Sequence, residues 1–386
     1  MTYHFRSWPP TQEDIELLIQ IGAGESTNLE FKQEMPESTA FRKEVCAFAN
    51  AHGGEIVIGI QEKKGIAASI FPQQVKNPDN EELKIHEMIR TATTPPIPGV
   101  KVSIIPMGDG YVTAIRVPKS WIGPHMDSSK KVFIRESSQS RPMEHIELKN
   151  AFLGAEEQAQ RLRQFRKERC EAIFNRDTPV QMEFKRSIVT HVMPMDALAG
   201  GRRFAATTLK ESMKLASPPL RTQAGYDTRV DADGVFQACT KGTKPFHGMT
   251  YAHVAHTGIV ETVNCQTLAW PHDKGKIPHS VVDQETIKAV QQSVGILDRL
   301  GVEPPFIVFL TLIDMENSSS DVLDEPEPVR RSYLYAHEFA LDQMPKTFEE
   351  TAQAIRPALD NIANGFGLAV SPSFAKDGTW QVYEGR

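Results

Sequence analysis

Apolar residues recur along this chain in two periods, and the changes of period divide it into helices and strands. In TQEDIELLIQIGAGES, Ile15, Leu18 and Ile19 fall at helical spacing and Gly22 and Gly24 close the turn, which predicts a short amphipathic helix. The next stretch, NLEFK, alternates instead. Period two places Leu29 and Phe31 on one face for the core, and turns Asn28, Glu30 and Lys32 outward on the other. PESTAFRKEVCAFANAHGG returns to helical spacing through Phe41, Val45 and Phe48, and Gly53 and Gly54 stop it. EIVIGIQ reads as one strand with Ile56, Ile58 and Ile60 on the same side, and Gly59 allows close approach by another chain. A third helix, NEELKIHEMIRTATT, ends before the prolines at 95, 96 and 98. A hairpin turning at Gly108, Asp109 and Gly110 follows, then KVFIRESSQSRPM as a short strand with a polar loop.

IELKNAFLGAEEQAQRLRQFRKERCEAIF continues as one long charged helix, more connector than core. Beyond it SIVTHVMPM, DGVFQACT, YAHVAHTGIVETVN and PPFIVFLTLID read as strands, and DQETIKAVQQSVGILDRLG as a helix. TFEETAQAIRPALDNIANGFG carries a capping box at Thr347 and Glu350, and Pro357 inside it marks a kink or break. VLDEPEPVRR is an acidic, proline-bearing loop. The pattern predicts an α+β protein: a mixed α/β domain over 1–150, a basic connector helix over 151–178, and a second α/β domain over 179–386. The EFK triplet at Glu183 to Lys185 repeats an earlier one, but the helix and double-glycine strand do not recur, so no internal repeat follows.

Composition bounds the function classes. At 386 residues, with 40% hydrophobic and 24% charged residues, the chain is globular in type and long enough for two cores. Cys46, Cys170, Cys239 and Cys265 lie far apart with no C-x-x-C pair, which suits a reducing compartment, and no apolar run approaches a membrane span. A cytoplasmic protein is expected. A net charge of −6 requires any phosphate binding to come from a local patch. One candidate is RLRQFRKER, where Arg161, Arg163, Arg166, Lys167 and Arg169 accompany a single acid, Glu168; a solvated helix face explains the same run equally well. There is no G-x-x-x-x-G-K-[ST] phosphate loop, and the H-x-x-H of His253 and His256 sends its two rings to opposite faces of a strand.

Chemistry concentrates at GESTNLEFKQE. A carboxylate and a lysine two apart on a strand suit phosphodiester cleavage, the acid holding a divalent cation and the ammonium steadying charge on the scissile phosphate. An exposed strand with a local ion pair explains the same residues. Glu25 precedes the strand where the chain can bend its carboxylate toward Glu30, and Gln61 and Glu62 lie at the end of the glycine-bearing strand.

The order GESTNLEFK, AFANAHGGEIVIGI, VPKSWIGPH and FIRESSQSRPM resembles the Schlafen AlbA-type domain, over residues 12–150. The resemblance implies nucleic-acid binding. In nuclease-active members it implies metal-dependent cleavage of structured RNA, tRNA above all, by three acidic residues with Mg²⁺ or Mn²⁺. By position the first two acids fall on Glu25 and Glu30, with Lys32 as the cation. The third falls on Gln61, which is neutral, with Glu62 one residue later. The resemblance further implies that Lys119, Lys130, Lys131, Arg135 and Arg141 track a nucleic-acid backbone, RNA or DNA; Arg161, Arg163 and Arg166, in the basic run outside the resemblance, are candidates by charge alone. A prokaryotic single-lobe protein of this kind suits stress or antiphage defence, and homodimerisation would rebuild a two-lobed clamp. Beside such a nuclease the second domain is expected to be a sensor or regulator, its ligand or protein partner unknown, and a non-catalytic DNA- or RNA-binding regulator using the first domain is the alternative.

Overall fold

The computed structural model describes residues 5, 8–120, 122–198, 202–214, 226–240, 247–269 and 275–381. The chain divides into two compact units, Met1–Gln160 and Arg161–Arg386.

In the first unit, α1 (Gln12–Gln20) begins at a reciprocal capping box between Thr11 and Asp14. It is followed by β1 (Leu29–Lys32), α2 (Ser38–Asn50), β2 (Gly54–Ile58), β3 (Ile60–Lys63), β4 (Ile66–Ile70) and α3 (Pro78–Arg90). Next come β5 (Thr93–Thr94), β6 (Lys101–Met107), β7 (Gly110–Val117), β8 (Met126–Asp127), β9 (Phe133–Glu136) and β10 (Gln139–Pro142). The central sheet runs β1-β2-β7-β6, with β1 parallel to β2 and the other neighbours antiparallel. Alternation along the strands supplies two cores. Leu29, Phe31 and Val57 meet Ile15 and Leu18 of α1 on one face, while Ile56 and Ile58 meet Phe41, Val45 and Phe48 of α2 on the other.

Two local expectations change. EIVIGIQ is not one strand: Gly59 has φ +100°, ending β2 and rotating the chain, so Ile60 joins the α1 core and not the side of Ile56 and Ile58. FIRESSQSRP is a β9–β10 hairpin, Gln139 to Pro142 pairing with Glu136 to Phe133, where a strand and loop were expected.

The long helix α4 (His145–Phe174) crosses the boundary between the units. Its second half is core and not connector, because Leu162, Cys170 and Ile173 are buried in the second unit. That unit continues through β11 (Gln181–Met182), β12 (Ser187–Pro194), α5 (Ala206–Met213), β13 (Tyr226–Val230), β14 (Gly234–Thr240), β15 (His247–Ala255) and β16 (Val260–Asn264). It ends with α6 (Gln266–Ala269), β17 (Lys276–Ile277), α7 (His279–Arg299), β18 (Phe306–Ile313), β19 (Ser319–Ser320), β20 (Tyr333–Tyr335), β21 (Phe339–Leu341) and α8 (Phe348–Asn364). Its large sheet runs β13-β14-β15-β16-β12-β18-β20, every neighbour in that order antiparallel. Period two splits β12: Ile188 and Val192 face the core with α5, α7 and α8, while Val189 and Met193 face the α4 side. The expected break at Pro357 is absent. α8 runs through it, since the ring faces solvent and Ile355, Ala358, Leu359 and Ile362 stay packed below.

One buried acid in this unit sets a pH dependence. Asp283 on α7 accepts from Ser371 Oγ at 2.5 Å and Ser373 Oγ at 2.7 Å, tying the C-terminal loop to the helix. Burial pushes its carboxyl up to about 6, against the two hydroxyls. A raised carboxylate binds its proton more tightly folded than unfolded, so stability falls as pH rises from the unfolded value to about 6 and is level beyond. Asp283→Asn keeps an acceptor without the charge. Its melting temperature is expected to exceed the parent's at pH 8, with the gain shrinking toward pH 4; a lower value at pH 8 would refute the assignment.

Candidate functional site

β1 is an edge strand, and the site is built on that edge. Glu30, opposite Ile56 in the register, points away from the α1 core and yet is only 4% exposed. The polar face of NLEFK is therefore covered. Arg135 of β9, its side chain fully buried, sends one terminal nitrogen to Glu30 Oε2 at 2.5 Å and the other to Glu44 Oε2 at 3.1 Å. It also donates to the carbonyls of Ser26 at 3.0 Å and Leu29 at 3.2 Å, and its guanidinium lies 4.4 Å from the centre of the Phe48 ring. Lys32 Nζ takes Glu30 Oε1. Both oxygens of Glu30 are thus committed to cations.

Glu25 does a different job. Its Oε1 accepts from the Phe31 N–H at 3.2 Å, on the edge of β1 away from β2, and so stands in for a missing neighbouring strand. Its backbone N–H donates to Gly65 O at 2.7 Å, and the Gly65 N–H in turn donates to Glu62 Oε2 at 2.5 Å. Glu25, Glu30, Lys32 and Glu62 are consequently electrostatic neighbours. Burial, then the charge of Glu30, raises the Glu25 carboxyl above its ordinary value, with Glu62 adding to the rise and Phe31 N–H and Lys32 opposing it.

Gln61 does not join them: its side-chain oxygen accepts from Ser69 Oγ at 3.1 Å. A register shift falls between Gln61 and Glu62, opposite Ser69 and Ala67. Among the described residues, no group of three or more His, Cys, Asp or Glu side chains is placed to hold a metal ion. A hard divalent cation needs oxygens with free lone pairs, and an ion seated at Glu30 would face the Lys32 ammonium and the Arg135 guanidinium. In this arrangement the residues do not fit Mg²⁺ or Mn²⁺.

The basic residues separate by burial. Lys119, Lys130 and Lys131 are exposed, the last two in the turn before β9. Arg135 is a buried strut and not a phosphate contact. Arg141 is held at the surface by Glu136 at 2.5 Å and by both oxygens of Glu147 at 2.7 Å. Arg161 is exposed, and Arg163 is paired with Glu338 at 3.0 Å. Arg166 is buried in the second unit, donating to Thr311 Oγ1, Ala336 O and Leu310 O between the rings of Phe309 and Tyr335, and burial lowers it to about 10. His253 pairs with Asp231 at 3.3 Å, whereas His256 lies past the end of β15 on Phe204 O.

Three roles went unread in the sequence. Asn50 clamps the distant loop, donating to His125 O and Phe133 O at 2.9 Å and accepting from His125 N–H at 2.7 Å. Glu55, 1% exposed, is forked by Arg116 at 2.6 and 2.9 Å. Arg135 could have been placed by parity, since it sits two residues after Phe133 on the same side of a strand.

The first unit is thus a mixed four-stranded sheet covered by helices on both faces, with Glu30 on its edge strand β1 paired to both Lys32 and Arg135. Residues 25–144 match the family model described as Schlafen, AlbA_2, so this part of the chain is similar to domains of that family. Two solved structures are similar at low identity. The DIP2311 protein from Corynebacterium diphtheriae is 20% identical over 33% of this chain and 29% of its own, with a TM-score of 0.25. The N-terminal domain of a protein from Nitrosomonas europaea, named as related to the ATP-dependent DNA helicase RecG, is 16% identical over 32% of this chain and 79% of its own, with a TM-score of 0.21. The match therefore spans under a third of the first structure's length. No curated protein matches this chain. Among the described residues, no helix is long and apolar enough to cross a membrane.

Proposed function

We propose that the first unit binds nucleic acid through its Schlafen AlbA_2 domain and does not cut it. The observation that carries this reading is the double pairing of Glu30: a carboxylate held by Lys32 and Arg135 has neither a free oxygen nor net charge to offer a metal. Lys119, Lys130 and Lys131 supply the exposed positive charge for a phosphate backbone. Whether RNA, with tRNA as the first candidate, or DNA is preferred is decided by the assay below. The second reading, a metal-dependent endoribonuclease acting through Glu25, Glu30 and Glu62 with Lys32, draws support from the mutual electrostatic influence of those acids on Glu25.

The test combines binding and cleavage. Affinity for tRNA and for duplex DNA is measured across a salt series, for the parent and for Lys119→Glu/Lys130→Glu/Lys131→Glu. The triple variant is expected to bind at least 10-fold more weakly at low salt, with a slope of log K against log salt shallower by about 2 to 3. Unchanged affinity would remove these lysines from the interface. The same RNA is incubated with Mn²⁺, with and without EDTA, beside Glu25→Ala. Intact RNA in every lane is expected; cleavage abolished by both chelator and mutation would establish the nuclease reading instead.

A further inference from the structure

The first half of α4 presents an open face. No residue from His145 to Gln160 is buried, and the half-buried positions, Leu148, Ala151, Ala155 and Ala159 among them, gather on one side of the helix. The opposite side is centred on Leu153, 51% exposed, with Ile146 two turns before it at 71% and Phe152 on its flank at 53%. Single exposed apolar residues are ordinary. These three share one stretch of helix, and the charges on either side of Leu153 are opposite in sign: Lys149 lies four residues before it, and Glu156 and Glu157 lie three and four after it.

That arrangement is complementary to itself in one orientation. Two copies of the helix laid antiparallel, Leu153 against Leu153, bring Lys149 of each copy to the Glu156–Glu157 pair of the other and set the two Phe152 rings side by side. A parallel pairing would oppose lysine to lysine and acid to acid. Gly154 adds no bulk beside the axis, and a Cβ built on it would meet nothing within 4 Å. We propose that this face of α4 is a homodimer contact, its partner a second copy of this chain packed antiparallel about a two-fold axis at Leu153. The inference stands on the helix alone and is independent of the nucleic-acid reading.

The contact is small. Sixteen helical residues span about 24 Å and cover roughly half of the ~800 Å² per partner in a standard interface, so association is reversible and grows with concentration.

Sedimentation velocity on the full chain, from low to several hundred micromolar, reads the equilibrium directly. The parent is expected to shift from monomer to dimer. Lys149→Glu is expected to weaken dimerisation at least 10-fold, and adding Glu156→Lys/Glu157→Lys to restore it. The register is tested by oxidation, since the described native cysteines are all buried. Leu153→Cys meets its own mate on the axis and is expected to form a covalent dimer, whereas two Ile146→Cys residues lie about 20 Å apart and are not. Both positions are exposed, so folding is preserved, and circular dichroism checks it. A parent that stays monomeric throughout, charge reversal without effect, or equal cross-linking through Ile146→Cys would each overturn the proposal.

Discussion

Arg135→Ala is expected to lower the unfolding free energy by about 3–5 kcal/mol, enough to leave the first unit marginal. The size follows from what remains behind. The guanidinium serves two carboxylates, Glu30 and Glu44, and two backbone carbonyls, with its side chain wholly out of solvent. Removing it leaves Glu30, itself 4% exposed, with only Lys32, and strips the carbonyl of Leu29 of a donor. Arg135→Lys is expected to recover little, because one ammonium cannot reproduce a planar fork spread over four acceptors. Urea denaturation read by circular dichroism measures both variants. A loss below about 1 kcal/mol for Arg135→Ala would show that the strut is dispensable, and Glu30 would again be available as a ligand.

Glu261→Gln in the second unit is expected to cost a comparable amount at neutral pH and much less in acid. Glu261 on β16 accepts from both nitrogens of the Arg169 fork at 2.9 Å, from Tyr251 Oη at 2.7 Å, and pairs with His191 Nε2 at 2.9 Å. Burial by itself favours the protonated acid, but the hydrogen bonds and charges of His191 and Arg169 prevail and hold its carboxyl well below the ordinary range. A depressed carboxylate contributes stability that is complete above its unfolded value, near 4.3, and is lost as pH falls toward the folded one. The difference between parent and Glu261→Gln should therefore be full at pH 7, about 3–5 kcal/mol, and shrink on acidification below about pH 4. Denaturation midpoints at pH 3, 4, 5 and 7 check it. A difference that stays constant over that series would mean the loss comes from packing rather than from ionisation.

These expectations rest on contacts that a linear reading passes over. Leu29 and Phe31 were legible as core from their alternation, and the same rule placed Glu30 on the other face. What covers that face is Arg135, 105 residues later in the chain. Basic residues in RLRQFRKER read as a patch because composition counts charge without direction. The helix turns Arg166 and Arg169 into the second unit's sheet and leaves Arg161 and Arg163 outside, a division set by the buried side on which Leu162 and Cys170 also lie. Gly59 was read as permissive; its positive φ is what ends β2 and sends Ile60 to the opposite core. Pro357 was read as a break, and packing beneath an exposed ring keeps the helix whole.

The sequence by itself determined most of the helices and strands and the α+β class, because apolar periodicity is a local property of the chain, and its quoted motifs carried the resemblance to the Schlafen, AlbA_2 family that residues 25–144 match. The tertiary structure alone decided which charges are spent. Glu30, Arg135, Arg166 and Glu261 are buried against partners supplied by distant segments, and an ionisable group's capacity to hold a metal or a phosphate depends on its burial and on the charge beside it.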